Sequence, residues 1–149
     1  MSPHAMLSTH FIYIYRHGTL HTMTDKHVTV LMIDDDSVFT DIVGHRLQQE
    51  HIECVYAPSG AIALDLLSHH RSIDLILLDI RMPDMDGFAV LRQLKKDAHT
   101  AAIPVLLFSN DMSDENLAKG KELGAVQLLE KVRVTPGEVA DAVRAIVGL

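Results

Sequence analysis

From Val28 onward the chain alternates short apolar runs with amphipathic stretches five times, and this alternation restricts its fold more than any other feature. The runs are VTVLMI (Val28 to Ile33), IECVY (Ile52 to Tyr56), IDLILL (Ile73 to Leu78), IPVLLF (Ile103 to Phe108) and AVQLL (Ala125 to Leu129). Of these, the near-continuous apolar runs IDLILL and IPVLLF suit strands covered on both faces of a sheet. The first amphipathic stretch sets Phe39, Ile42, Val43 and Leu47 at helical spacing. Pro58 and Ser59 open the second, with Ile62, Leu66 and Leu67 expected inward, and the third carries Phe88, Leu91 and Leu94. Ser113 is placed to cap a fourth helix with Asp114 and Glu115 in its first turn, and Gly124 to end it. Thr135-Pro136-Gly137-Glu138 reads as a capping box ahead of a fifth helix carrying Val139, Val143 and Ile146. Strand–helix alternation with short connections predicts parallel strands, right-handed crossovers and a three-layer α/β/α sandwich. The pattern alone leaves the strand order open.

The 149 residues suffice for one domain with a real core. Thirteen Lys and Arg against twenty Asp and Glu leave a net charge of −7, which argues against gripping nucleic acid or anionic lipid by bulk charge. A single cysteine, Cys54, excludes an internal disulfide or a Cys-rich zinc site and reads as a buried, inert thiol. No apolar stretch approaches the roughly 20 residues that span a bilayer. FIYIY, Phe11 to Tyr15, is too short for a signal-peptide core of about 7–15 residues, so a cytoplasmic location is expected. Residues 1–27 hold five of the ten histidines at spacings that match no metal template. They read as a flexible N-terminal extension ahead of a domain at 28–149, although FIYIY is a candidate to add a strand to a sheet edge or to a neighbour. The sequence ends with the fifth predicted helix, so any output is expected from the surface of this domain.

In open parallel sheets, sites form beyond the carboxyl ends of the strands. Asp34, Asp35 and Asp36 follow the first strand, Asp79 ends the third, Ser109 the fourth, and Lys131 follows the fifth. Carboxylates gathered at one edge raise one another's pKa unless a cation neutralises them. A cluster offering only oxygen ligands suits a hard divalent ion such as magnesium. With a hydroxyl and an ammonium added, the set suits phosphoryl transfer to a carboxylate, and Asp79, at the end of the most apolar strand, is the best nucleophile.

The segments VTVLMIDDDS, LILLDIRMPDMDG, VLLFSN and GAVQLLEK, from Val28 to Leu149, resemble the receiver domain of two-component response regulators. The resemblance implies a flavodoxin-like strand order 2-1-3-4-5 and a single-domain response regulator rather than an enzyme. It implies that a sensor histidine kinase or a phosphotransfer protein delivers a phosphoryl group to Asp79, and that phosphorylation switches binding of a downstream protein target, with neither nucleic acid nor membrane contacted directly. By motif position Asp35 is a direct Mg2+ ligand, Asp34 acts through water, Asp79 is both ligand and phosphoacceptor, and the Arg81 carbonyl completes the set. Ser109 takes the switch-hydroxyl position and Lys131 that of the essential lysine. Asp36, one place beyond the acidic pair, reads as part of the helix start.

Three positions depart from the family pattern. Val132 stands after Lys131 where proline is usual, Leu128 stands where an aromatic often rotates with the switch, and Asn110 stands where a small residue is common. Arg81 and Asp111, each two residues beyond a site residue, are candidates for an ion pair across the site mouth. His69 and His70 suit the end of the second helix, Lys95 and Lys96 read as a solvated end of the third, and Met82 and Met85 as packing residues. Two other functions compete. A haloacid-dehalogenase-like phosphatase needs a second Asp two residues after the nucleophile, where Arg81 stands. A phosphorylation-independent receiver-like adaptor is favoured by Val132 and Leu128. A chain starting at Met23 is expected to keep the stability of the full chain in thermal melts; a lowered melting temperature would make the leader part of the fold.

Overall fold

The computed structural model describes residues 11–16, 19–24, 26–69 and 72–149. Two strands, β1 (Phe11–Arg16) and β2 (Thr19–Thr24), pair antiparallel with Arg16 opposite Thr19. They form a sheet of their own. Both strands lie within the N-terminal extension read at residues 1–27. The strand potential noticed in FIYIY is realised against a neighbouring segment of the same leader rather than at the edge of the main sheet. Residues 1–10 of the leader and His70 lie outside the described residues.

The main sheet comprises β3 (Thr29–Ile33), β4 (Glu53–Ala57), β5 (Leu75–Asp79), β6 (Val105–Ser109) and β7 (Gln127–Glu130). Helices α1 (Ser37–Gln49), α2 (Gly60–His69), α3 (Gly87–Lys96), α4 (Asp114–Glu122) and α5 (Pro136–Val147) follow them in turn. All strand pairings are parallel, in the order β4-β3-β5-β6-β7, which is 2-1-3-4-5 when the main-sheet strands are counted alone. Every residue of β5 and β6 is buried, whereas the edge strands β4 and β7 are partly exposed. This is why the middle runs are the most uniformly apolar.

Because successive strand residues point to opposite faces, the sheet divides its side chains between two cores. Leu31, Ile33, Ile76, Leu78 and Leu107 pack with Ala63 and Leu67 of α2 and with Phe88, Leu91 and Leu94 of α3. Val30, Met32, Leu75, Leu77, Leu106 and Phe108 pack with Val43 and Leu47 of α1 and Val139, Val143 and Val147 of α5. The expected inward positions of α3 are all buried. Ile42 and Ile62 are corrected: they are 52% and 46% exposed. The buried stripe of α1 runs through Thr40, Val43, Gly44 and Leu47, and that of α2 through Gly60, Ala63 and Leu67. Ile42 and Ile62 each stand one residue before a stripe member, about 100° round the helix from it.

The caps follow the sequence closely. Ser113 accepts from the Asn116 N–H, and Thr135 and Glu138 form the reciprocal capping box. Gly124, at φ +91°, turns the chain out of α4 in the left-handed region that glycine adopts without strain. Lys95 is not simply solvated: its Nζ donates to the carbonyl of Ala101 at 3.1 Å, and burial pulls its pKa below the ordinary lysine value. Cys54 is half-buried, and burial pushes its thiol to about 11, so it is inert near neutrality.

At Gly87 a Cβ would fall 2.3 Å from the Asp79 carbonyl oxygen and 2.8 Å from Ile80 Cα, both backbone atoms that cannot swing aside. The start of α3 thus presses directly on the end of β5, and the Gly87 N–H donates to the Ile80 carbonyl at 2.8 Å. Gly87→Ala is expected to cost about 2 kcal/mol in urea denaturation, from overpacking rather than from backbone conformation. A cost near zero would show that α3 can lift off without penalty.

Candidate phosphoacceptor site

The parallel sheet brings the polar strand ends to one edge. Asp34 follows β3, with its backbone N–H donating to the Ala57 carbonyl of β4 at 3.1 Å. Asp79 is the last residue of β5 and Ser109 the last of β6. The Lys131 N–H donates to the Ser109 carbonyl at 3.0 Å, which extends the β6–β7 pairing and sets Lys131 beside the site. Asp34, Asp79 and Ser109 are 7%, 5% and 1% exposed, while Asp35 is exposed. One carboxylate oxygen from each of Asp34, Asp35 and Asp79 falls within 4.8 Å of the others.

Lys131 reaches into this cluster. Its Nζ lies 2.7 Å from Asp34 Oδ2, 3.7 Å from Asp36 Oδ2 and 3.9 Å from Asp79 Oδ2. It also lies 4.7 Å from the centre of the Phe39 ring, which in turn packs edge-on against Phe108 at 5.1 Å. A cation over an aromatic face gains electrostatic attraction, so the ring supports the ammonium from below while the carboxylates hold it from the side. The Phe39 platform is not evident in the sequence, where Phe39 reads only as an inward helix residue. Asp36 is the N-cap of α1, as its position suggested, and accepts from the Phe39 N–H at 3.1 Å.

The charges do not balance. Burial pushes the Asp79 carboxyl up to about 6; neighbouring Asp34 adds to the rise, against the opposing pull of Lys131 and of a hydrogen bond from the Arg81 backbone N–H. Burial likewise raises Asp34, although Lys131 and the Asp36 N–H, 2.9 Å from Asp34 Oδ1, oppose it. Lys131 is drawn down by burial, but Asp34, Asp79 and Asp36 together outweigh this and leave its pKa above the ordinary value. Asp34 Oδ2 is buried without a properly aligned hydrogen bond, so its closeness to Lys131 is an ionic contact. An under-neutralised cluster of three carboxylates, two of them buried, with a single ammonium among them fits a hard divalent cation.

Ser109 Oγ donates to the Asp111 carbonyl at 3.0 Å and accepts from the Asp111 N–H at 2.9 Å. Beside it opens a cavity of about 560 Å3 walled by Arg81, Met82, Phe88 and Lys119 among others. Arg81 and Asp111 both line this cavity, but they form no ion pair within 4.0 Å among the described residues. The expected Arg81–Asp111 bridge is thereby corrected. Asp111 Oδ1 instead accepts from the Ser113 N–H at 3.0 Å, and Arg81 is exposed. Among the described residues no peptide bond is cis, Lys131–Val132 included, and Lys131 nonetheless reaches the carboxylates. Val132 is 72% exposed and Leu128 half-buried.

A five-stranded parallel sheet in this order, with acidic groups, a hydroxyl and a lysine at its carboxyl edge, defines the receiver class of signalling domains. The family model for the response regulator receiver domain matches residues 30–144, and the chain belongs to that family. It is 32% identical over 119 residues to the two-component response regulator ORR3 of Oryza sativa subsp. indica, a match covering 80% of this chain and 90% of the relative. A 38% identity over 103 residues to a probable cyclic di-GMP phosphodiesterase of Vibrio cholerae spans 69% of this chain and only 23% of that longer protein. Among solved structures, the Vibrio cholerae chemotaxis protein CheY4 matches with a TM-score of 0.75 and 28% identity, covering 80% of this chain and 98% of CheY4. None of the described helices is long and apolar enough to cross a membrane.

Asp79 binds its proton more tightly in the folded protein than in the unfolded chain. Its ionisation therefore costs stability above about pH 6, and the cost fades below about pH 4, where both states are protonated. In urea denaturation with a chelator present, Asp79→Asn is expected to stabilise the protein by about 2 kcal/mol at neutral pH, a gain that shrinks as the pH falls from 6 to 4. A gain independent of pH would mean that charge at Asp79 is not its origin.

Proposed function

We propose that this receiver domain accepts a phosphoryl group on Asp79 in a Mg2+-dependent reaction and that the modification switches its affinity for a protein partner. The observation that carries the reading is the meeting of Asp34, Asp35 and Asp79 within 4.8 Å, with the ammonium of Lys131 reaching the same cluster. Asp34, Asp35 and Asp79, with the Arg81 carbonyl, would hold the ion, which when bound supplies positive charge against the phosphoryl oxygens. Asp79 supplies the nucleophilic oxygen. As its bond to phosphorus forms, the phosphorus–nitrogen bond of a phosphohistidine donor breaks and the electron pair returns to the donor's imidazole. Lys131 faces the phosphoryl group with a second positive charge, and Ser109 offers it a hydroxyl proton.

The donor is a sensor histidine kinase or a phosphotransfer protein, and the acceptor state acts on a downstream protein rather than on nucleic acid. A phosphatase built on Asp79 lacks its acid–base partner, since Arg81 occupies that position. The adaptor reading rested on Val132 and Leu128. The ionic contact of Lys131 with Asp34, made across a trans Lys131–Val132 bond, favours the phosphoacceptor.

Incubation with a small acyl phosphate and Mg2+ is expected to add one phosphoryl group by intact mass. Asp79→Asn or a chelator should abolish the adduct, and Lys131→Ala should reduce it at least tenfold by removing the second cation. Equal labelling of wild type and Asp79→Asn would refute the assignment. Mg2+ alone is expected to raise the melting temperature of the wild type and to lose most of that effect in Asp35→Ala.

A further inference from the structure

The Ser109 hydroxyl is buried and its one proton is committed to the Asp111 carbonyl. That carbonyl has a second donor, the side chain of Asn116 in the first turn of α4, whose Nδ2 lies 3.1 Å away. A carbonyl only accepts, so it is the amide nitrogen of Asn116 that faces it. The same loop is closed by three more hydrogen bonds: Asp111 N–H to Ser109 Oγ, Ser113 N–H to Asp111 Oδ1, and Asn116 N–H to Ser113 Oγ. Ser113 already caps α4, so the Asn116 side chain is not needed to satisfy the helix start. It reaches back five residues, to the one acceptor that holds Ser109.

We propose that Asn116 is a positioning residue that pins the Asp111 carbonyl under the Ser109 hydroxyl and so biases the unmodified protein against switching. For Ser109 to donate to a phosphoryl group on Asp79, its bond to Asp111 must break. A carbonyl fixed from the other side by Asn116 keeps the resting partner in place at all times, whereas an unfixed one exchanges Ser109 for water more readily. The latch joins the last residue of β6 to the first turns of α4, the route by which a change at Ser109 reaches the surface of that helix. This inference concerns how the Asp79 site is regulated and rests on the phosphoacceptor reading above.

Two measurements test it on the full chain. In the metal-free, unmodified protein, hydrogen exchange at the Asp111 amide is expected to quicken about fivefold in Asn116→Ala, the size of one neutral hydrogen bond, while amides of β5 and β6 stay unchanged. With Mg2+ and beryllium trifluoride as the phosphoryl mimic, Asn116→Ala is expected to bind the mimic about fivefold more tightly, with affinity for Mg2+ alone unaltered. Asn116→Asp, which keeps the shape but lacks the donor, should behave likewise and serves if the alanine variant folds poorly. Unchanged exchange, unchanged or weaker binding of the mimic, or an equal change in Mg2+ affinity would each overturn the latch. If the wild type itself fails to bind the mimic, the phosphoacceptor reading fails, and the exchange measurement still decides whether Asn116 holds the loop.

Discussion

Crowding of carboxylates at the buried end of a parallel sheet is the constraint on which the rest of this structure depends. Asp34 and Asp79 are held in a poorly hydrated place where burial makes both harder to ionise, and the charge of Asp34 adds to the rise at Asp79. One lysine relieves this only in part, because its single ammonium sits against Asp34 and touches Asp79 at the limit of an ion pair. The local charge left over is what makes the cluster suited to a divalent cation, and it underlies the phosphoacceptor function proposed above.

The rest of the fold serves to hold that unfavourable arrangement in place. β5 and β6, buried along their whole length, deliver Asp79 and Ser109 with little freedom to retreat from one another. Phe39 links α1 to the ammonium of Lys131 and packs on Phe108 of β6, so the ring beneath the cation is itself braced against the sheet. Gly87 lets α3 start directly against the Asp79 backbone, which closes one side of the site without a side chain. The loop after β6 is the most independently built part. Its hydrogen bonds run among Ser109, Asp111, Ser113 and Asn116, so it has a resting arrangement of its own.

The α/β alternation, the caps of α4 and α5 and the residues at the carboxyl edge were legible before any coordinates, because each depends on local pattern or on motif. What was misjudged shows where pattern stops. Ile42 and Ile62 are apolar at nearly the right helical spacing, yet the helix faces the sheet through neighbouring positions. Lys95 seemed an ordinary solvated helix end, but a later loop supplies its carbonyl acceptor. Arg81 and Asp111 are suitable partners by charge, but the fold leaves their charged groups more than 4.0 Å apart, with Asp111 turned to the Ser113 N–H and Arg81 exposed.

The order of residues alone determined the five strands of the main sheet, five helices and the identities of the groups that end each strand. These follow from periodicity, capping chemistry and short connections, all of which act within about a dozen residues. Tertiary structure decided the distances: how near Lys131 comes to Asp34, that Phe39 lies beneath it, and that Asn116 reaches the Asp111 carbonyl. Contacts of the first two kinds join residues some ninety positions apart, and the third depends on the path of one loop. Neither is encoded in a local pattern, because both arise only when strands and helices settle against one another.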